Sequence, residues 1–152
     1  MIGYATPVGG EQILLPMLGL MVLTAVVWFV LYARRIPAMR RLGKPAQTYT
    51  TPGPVVDLLP EEVSYPANNF KNLFELPVLF YGICLYLYVT GTAASVDVIA
   101  AWLFLLLRVV HSLIHCTVNV VMARFIVYCA GALVLWVMLA RVVWGAYQGV
   151  MG

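Results

Sequence analysis

Charge is scarce in this chain: 10% of its 152 residues are Asp, Glu, Lys or Arg, where a soluble domain carries about 25%. That scarcity excludes a soluble globular domain. Acidic residues number six, and three of them, Asp57, Glu61 and Glu62, share one polar stretch that reads as solvated surface. Cysteine is equally sparse. Cys84, Cys116 and Cys129 each fall in a different apolar segment, which excludes a disulfide framework or a CxxC redox pair and leaves small hydrophobes. No Gly-rich phosphate loop, Ser nucleophile elbow or HExxH motif is present. His111 and His115 have the i, i+4 spacing of a metal pair, but Cys116 is turned about 100° from His115 on a helix, so no metal is expected. The nine Lys and Arg give a net charge of +3. They flank apolar runs, a pattern of membrane orientation and not of nucleic-acid binding.

What the chain has is hydrophobicity: 63% apolar residues and a mean hydropathy of +0.94. The runs predict an all-α integral membrane protein of one domain, residues 1–152, with helices at about 12–33, 68–90, 98–119 and 122–145. Only Glu11 precedes the first run, and Arg34, Arg35, Arg40, Arg41 and Lys44 follow it. That polarity is opposite to a cleavable signal peptide and puts the N- and C-termini outside the cytoplasm. Residues 34–67 contain Pro37, Pro45, Pro52, Pro54, Pro60 and Pro66 with Gly43 and Gly53, so they are expected as a cytoplasmic loop and not a helix. Asp97 suits the start of the third helix. Arg141 and Trp144 suit the outer interface, where Arg snorkels. Val120 to Ala123 offer no Gly or Pro, which predicts a very tight connection between helices three and four. Short connections between four spans give an antiparallel four-helix bundle.

Within these apolar runs stand groups that a bilayer penalises. A charge at mid-membrane costs at least ~3 kcal/mol and needs a partner, water or a ligand. Arg108, His111 and His115 are spaced i, i+3, i+7 and share a helix face that Asn119 continues. Arg124 and Tyr128 are one turn apart on the fourth helix, and Asn68, Asn72 and Glu75 share a face on the second. Lys71 is one turn before Glu75 and close enough to pair with it, and Pro77 loosens that turn. The orientation brings Glu75, Arg108, His111, His115 and Arg124 into the inner half of the membrane. Arg108 as a structural partner of Glu75, Arg124 as a headgroup contact, and an ion or proton pathway are the competing readings. The set suits a ligand with several carboxylates and one ammonium. Beside a bound thiol its cations favour the thiolate.

Asn72-x-x-Glu75-x-Pro77, then Arg108-x-x-His111-x-x-x-His115, then Arg124-x-x-x-Tyr128 resemble the MAPEG family, the membrane-associated proteins of eicosanoid and glutathione metabolism. The resemblance covers nearly the whole chain and fits a bacterial-type member. It implies a homotrimer of four-helix protomers in the bacterial inner membrane, with glutathione as co-substrate bound between subunits in the inner half of the membrane. It implies Lys71, Asn72, Glu75, Arg108, His111 and His115 as glutathione-binding, Arg124 as the thiolate-stabilising catalytic residue and Tyr128 as a catalytic hydroxyl near it. His115 stands where Tyr is frequent, Phe125 where prostaglandin E synthase-like members carry Ser, and Asn68 where some members have Arg. The function implied is a glutathione-dependent transferase or peroxidase acting on lipophilic electrophiles. The alternative is a non-catalytic member that binds lipids or partner proteins.

Overall fold

In the computed structural model, residues 10–50, 53 and 57–151 are described; Pro52 and Pro54 lie outside them. All regular structure among these residues is helical. After a 3-10 turn at Glu11–Ile13, α1 runs over Leu14–Leu42. Helix α2 is Glu61–Asn72, α3 is Leu76–Thr90, α4 is Ser95–Cys116 and α5 is Val121–Met151. Four stretches, Glu11–Leu42, Glu61–Thr90, Ser95–Cys116 and Val121–Gly149, are long and apolar enough to cross a membrane.

Two expectations about the polar stretch change. Helix α1 does not stop near residue 33 but continues through Pro37 to Leu42. A single proline removes one i→i−4 hydrogen bond and does not end a helix whose neighbouring residues remain good formers. The stop comes at Gly43, which adopts the left-handed conformation (φ 61°) and returns its N–H to the Arg40 carbonyl at 3.1 Å. At the other end of the stretch, Glu61 and Glu62 occupy the first turn of α2, where carboxylates favour the helix dipole.

The second span is also not one helix. Residues 73–75 interrupt it, with Glu75 at φ −97°, ψ −105°, and Pro77 lies in the first turn of α3, where a missing N–H costs nothing. Asn68, Asn72 and Glu75 therefore do not lie on one continuous face. Helix α3 closes with a Schellman arrangement: Gly91 at φ 66° donates to the Tyr88 carbonyl and Thr92 to the Leu87 carbonyl, both at 3.2 Å.

Helix α4 packs along α5 and against α1 and α2, while α3 meets α1 and α5. Phe80 of α3 stacks on Phe104 of α4 with centroids 4.6 Å apart. Gly19 lets α1 approach α4 so closely that a Cβ there would stand 2.7 Å from a Leu105 methyl. The outside of the bundle is apolar, with Val22, Phe29, Ile126, Leu133 and Val137 all at least 60% exposed. A surface of that kind faces lipid.

At the α3–α4 turn, Asp97 is 1% exposed and accepts the Ala94 N–H at 2.8 Å. Arg141 of α5 meets the same carboxylate through two nitrogens, Nε to Oδ1 at 2.7 Å and Nη2 to Oδ2 at 3.1 Å. Asp97 thus begins the helix as expected, but Arg141 is held by a carboxylate instead of merely snorkelling. This is the only ion pair among the described residues. Arg141→Ala leaves a buried carboxylate with one backbone partner and is expected to cost about 2 kcal/mol, read as a lower thermal midpoint in detergent; an unchanged midpoint removes the pair from the stability account.

Candidate functional site

The i, i+3, i+7 stripe of α4 is buried: Arg108 is 1% exposed and His111 and His115 are 3% each. Arg108 is held by aromatic rings, its guanidinium carbon 4.9 Å from the Tyr128 centroid and 5.3 Å from that of Phe104. Cation–π contacts of this kind are worth up to about 2 kcal/mol when desolvated. Besides these ring contacts, Nη1 and Nη2 are both buried without a hydrogen-bond partner.

The two histidines are fixed by one residue of α5. His111 Nδ1 lies 3.0 Å from the backbone oxygen of Arg124. A carbonyl only accepts, so Nδ1 carries the proton and Nε2 is left as an acceptor. His115 Nε2 lies 2.9 Å from Nη1 of Arg124. A guanidinium only donates, so here Nε2 accepts and the proton of the neutral ring sits on Nδ1. Both free nitrogens, His111 Nε2 and His115 Nδ1, are buried and unpartnered. The site therefore presents donors from Arg108 and His115 beside an acceptor from His111. Orphaned groups of this kind are rare in native proteins and call for an explanation.

Arg124 itself is half-buried, and its Nη1 also donates to Asn119 Oδ1 at 2.6 Å. Tyr128 lies one turn further along α5, its ring 5.9 Å from that of His111. Among the residues expected on the second span, Asn72 is half-buried while Lys71 and Glu75 are exposed. Lys71 and Glu75 do not form the expected ion pair, and Glu75 does not pair with Arg108. The interruption at 73–75 is the reason, since it takes Glu75 off the helical face on which the pairing was read. Asn68 is exposed, and its neighbour Asn69 is the buried amide.

Asn69, with its contacts Ser112 and Cys116, and Arg34 emerge as residues that spacing alone did not bring to this cluster. Asn69 is 0% exposed and lies 3.5 Å from both Ser112 Oγ and Cys116 Sγ, joining α2 to α4. Arg34 of α1 donates through Nη1 to the Cys116 carbonyl at 2.7 Å, a cation on the negative end of α4. Its sequence signal, a basic residue after an apolar run, is the same one that marks a membrane boundary. Asn119, expected to continue the helical face, instead lies past the end of α4 at Cys116, in the α4–α5 turn at φ 47°, and meets Arg124 from there. Among the described residues no group of three or more His, Cys, Asp or Glu is placed to hold a metal. A 510 Å³ cleft beside Arg34, Arg41 and Val63, and a 410 Å³ cleft beside Tyr86, Arg141 and Trp144, are not lined by Arg108, His111, His115 or Arg124.

The model of the MAPEG family matches residues 13–144, most of the chain and the whole of this cluster. The protein belongs to the MAPEG family. That membership makes it a four-helix membrane bundle of a family that includes glutathione transferases and peroxidases and also non-catalytic members. Neither the curated proteins nor the solved structures give a match to set beside this one.

Proposed function

We propose that this MAPEG protein is a glutathione-dependent transferase or peroxidase acting on lipophilic electrophiles that arrive through the bilayer. The observation that carries the reading is the run of unpartnered buried atoms on α4: Nη1 and Nη2 of Arg108, Nε2 of His111 and Nδ1 of His115. Three are donors for carboxylate or carbonyl oxygens, and one is an acceptor for an N–H or S–H. A short acidic peptide with amide links and a thiol supplies all of those partners. In this reading Asn72 adds an amide, and the exposed Lys71 and Glu75 meet the ligand's carboxylate and ammonium at the edge of the protomer, between subunits of a homotrimer. Arg124 stabilises the thiolate, and Tyr128 assists through its hydroxyl. With an aryl halide the thiolate sulfur attacks carbon, the halide leaves with its electron pair, and the thiol proton passes to solvent. The protein is multi-pass in the bacterial inner membrane, with both termini outside and this cluster in the cytoplasmic half.

A second reading, a non-catalytic lipid- or protein-binding member, draws on one observation. Nη1 of Arg124 is already engaged by His115 and Asn119 within the chain. Calorimetric titration of the detergent-solubilised protein with glutathione separates the two. Saturable binding, together with conjugation of a generic aryl halide, is the expected outcome; the absence of both overturns the enzyme and leaves the scaffold.

A further inference from the structure

We propose that Asn119 is the positioning residue that aims Arg124, and that through Arg124 it decides which ring nitrogen of His115 carries the proton. Asn119 is the only non-glycine residue with a positive φ among the described residues, at 47°. Asn is one of the few side chains that tolerate this conformation, because its short polar group bonds locally. Its backbone is pinned, with the N–H closing on the Ile114 carbonyl at 2.8 Å. Glycine satisfies that backbone equally well, so the amide must be explained separately.

The amide is explained by Arg124. A guanidinium Nη carries two hydrogens. Nη1 of Arg124 has two acceptors, Asn119 Oδ1 at 2.6 Å and His115 Nε2 at 2.9 Å. Both hydrogens are thereby assigned, and two acceptors on one nitrogen define the plane of the whole group. With His115 alone, the guanidinium is free to rotate about a single hydrogen bond, and its hold on the imidazole loosens. With both, the hydrogens on Nε and Nη2 point in one direction and form the edge left for a ligand. The polar stripe Arg108, His111, His115, Asn119 thus ends in a residue that touches no ligand itself. The kinetic part of this inference rests on the glutathione reading, whereas the histidine part does not.

The test compares N119G, N119A and N119D in the full-length protein in detergent, with ring nitrogens labelled. Nitrogen NMR reads the His115 tautomer, thermal melting reads the fold, and thiolate absorbance with kcat and KM reads the site. Expected for N119G is an unchanged midpoint, a His115 signal that becomes a mixture of tautomers, and a kcat about tenfold lower at nearly constant KM, the worth of one hydrogen bond to a charged group. N119D keeps an acceptor and is expected to keep the wild-type tautomer. If N119G matches wild type in tautomer and kcat while only N119A is impaired, Asn119 serves the backbone alone and the inference is overturned. If N119G does not fold, loss of the tautomer in N119D overturns it as well. A wild-type protein that binds no glutathione sinks the enzyme reading while the nitrogen spectra still decide the role of Asn119.

Discussion

Arg124→Ala is expected to lower kcat for glutathione conjugation about 10²–10³-fold, the loss found when one preorganised donor to a developing anion is removed. The fold should survive. The bond from His111 is to the Arg124 backbone oxygen and persists when the side chain is cut. The cut leaves His115 Nε2 buried without its donor and Asn119 Oδ1 half-buried, a cost of about 1–3 kcal/mol that lowers the midpoint without unfolding the bundle. Arg124→Lys keeps a charge but not the planar fork, so it should recover only part of the rate. Thiolate absorbance of bound glutathione gives the direct reading: strong in wild type, weak in Arg124→Ala. Full activity in Arg124→Ala removes this residue from the chemistry.

Arg108→Met carries the second large effect. If Arg108 holds a ligand carboxylate, its removal should weaken glutathione affinity about 10- to 100-fold, the value of a desolvated charge-assisted contact. Stability should barely move. The side chain gives up two cation–π contacts, with Phe104 and Tyr128, each worth about 1–2 kcal/mol at most. It also relieves Nη1 and Nη2, both buried without partners, and an unsatisfied buried donor costs about 1–3 kcal/mol. The terms nearly cancel, and Met refills the space of the arginine stem. A large fall in midpoint with glutathione affinity intact makes Arg108 a structural residue.

The α4 side of this cluster was legible in the sequence because a regular helix converts spacing directly into direction. Arg108, His111 and His115 needed only the 3.6-residue period to be placed on one face, and all three are buried there. The same arithmetic failed for Glu75 because it presumed a continuous helix. The break at 73–75 is a tertiary choice, which Pro77 permits but does not dictate. The end of α1 was misplaced for a related reason: Pro37 is read as a stop, yet one missing hydrogen bond in 29 residues is tolerated. Asp97 was legible as a helix start, while its bond to Arg141 was not, since 44 residues separate them. The α4–α5 turn lacked a glycine signal because an asparagine takes the left-handed position.

The one ion pair of the described residues also divides the molecule electrically. At the α3–α4 end, Asp97 neutralises Arg141. Toward the opposite end, which the Arg34–Cys116 bond identifies, Arg108 and Arg124 have no carboxylate within ion-pair distance among the described residues, and Arg35, Arg40, Arg41 and Lys44 follow Arg34 along the chain. The charges are therefore uneven along the bundle: cations outnumber carboxylates toward the α4–α5 turn, while Glu11 and Asp97 outnumber Arg141 at the other mouth, so the field draws anions toward the turn. On the proposed glutathione reading, a charged co-substrate and an oily one would approach by perpendicular routes, the first down the field from water and the second sideways from lipid. Raising the ionic strength should slow only the first.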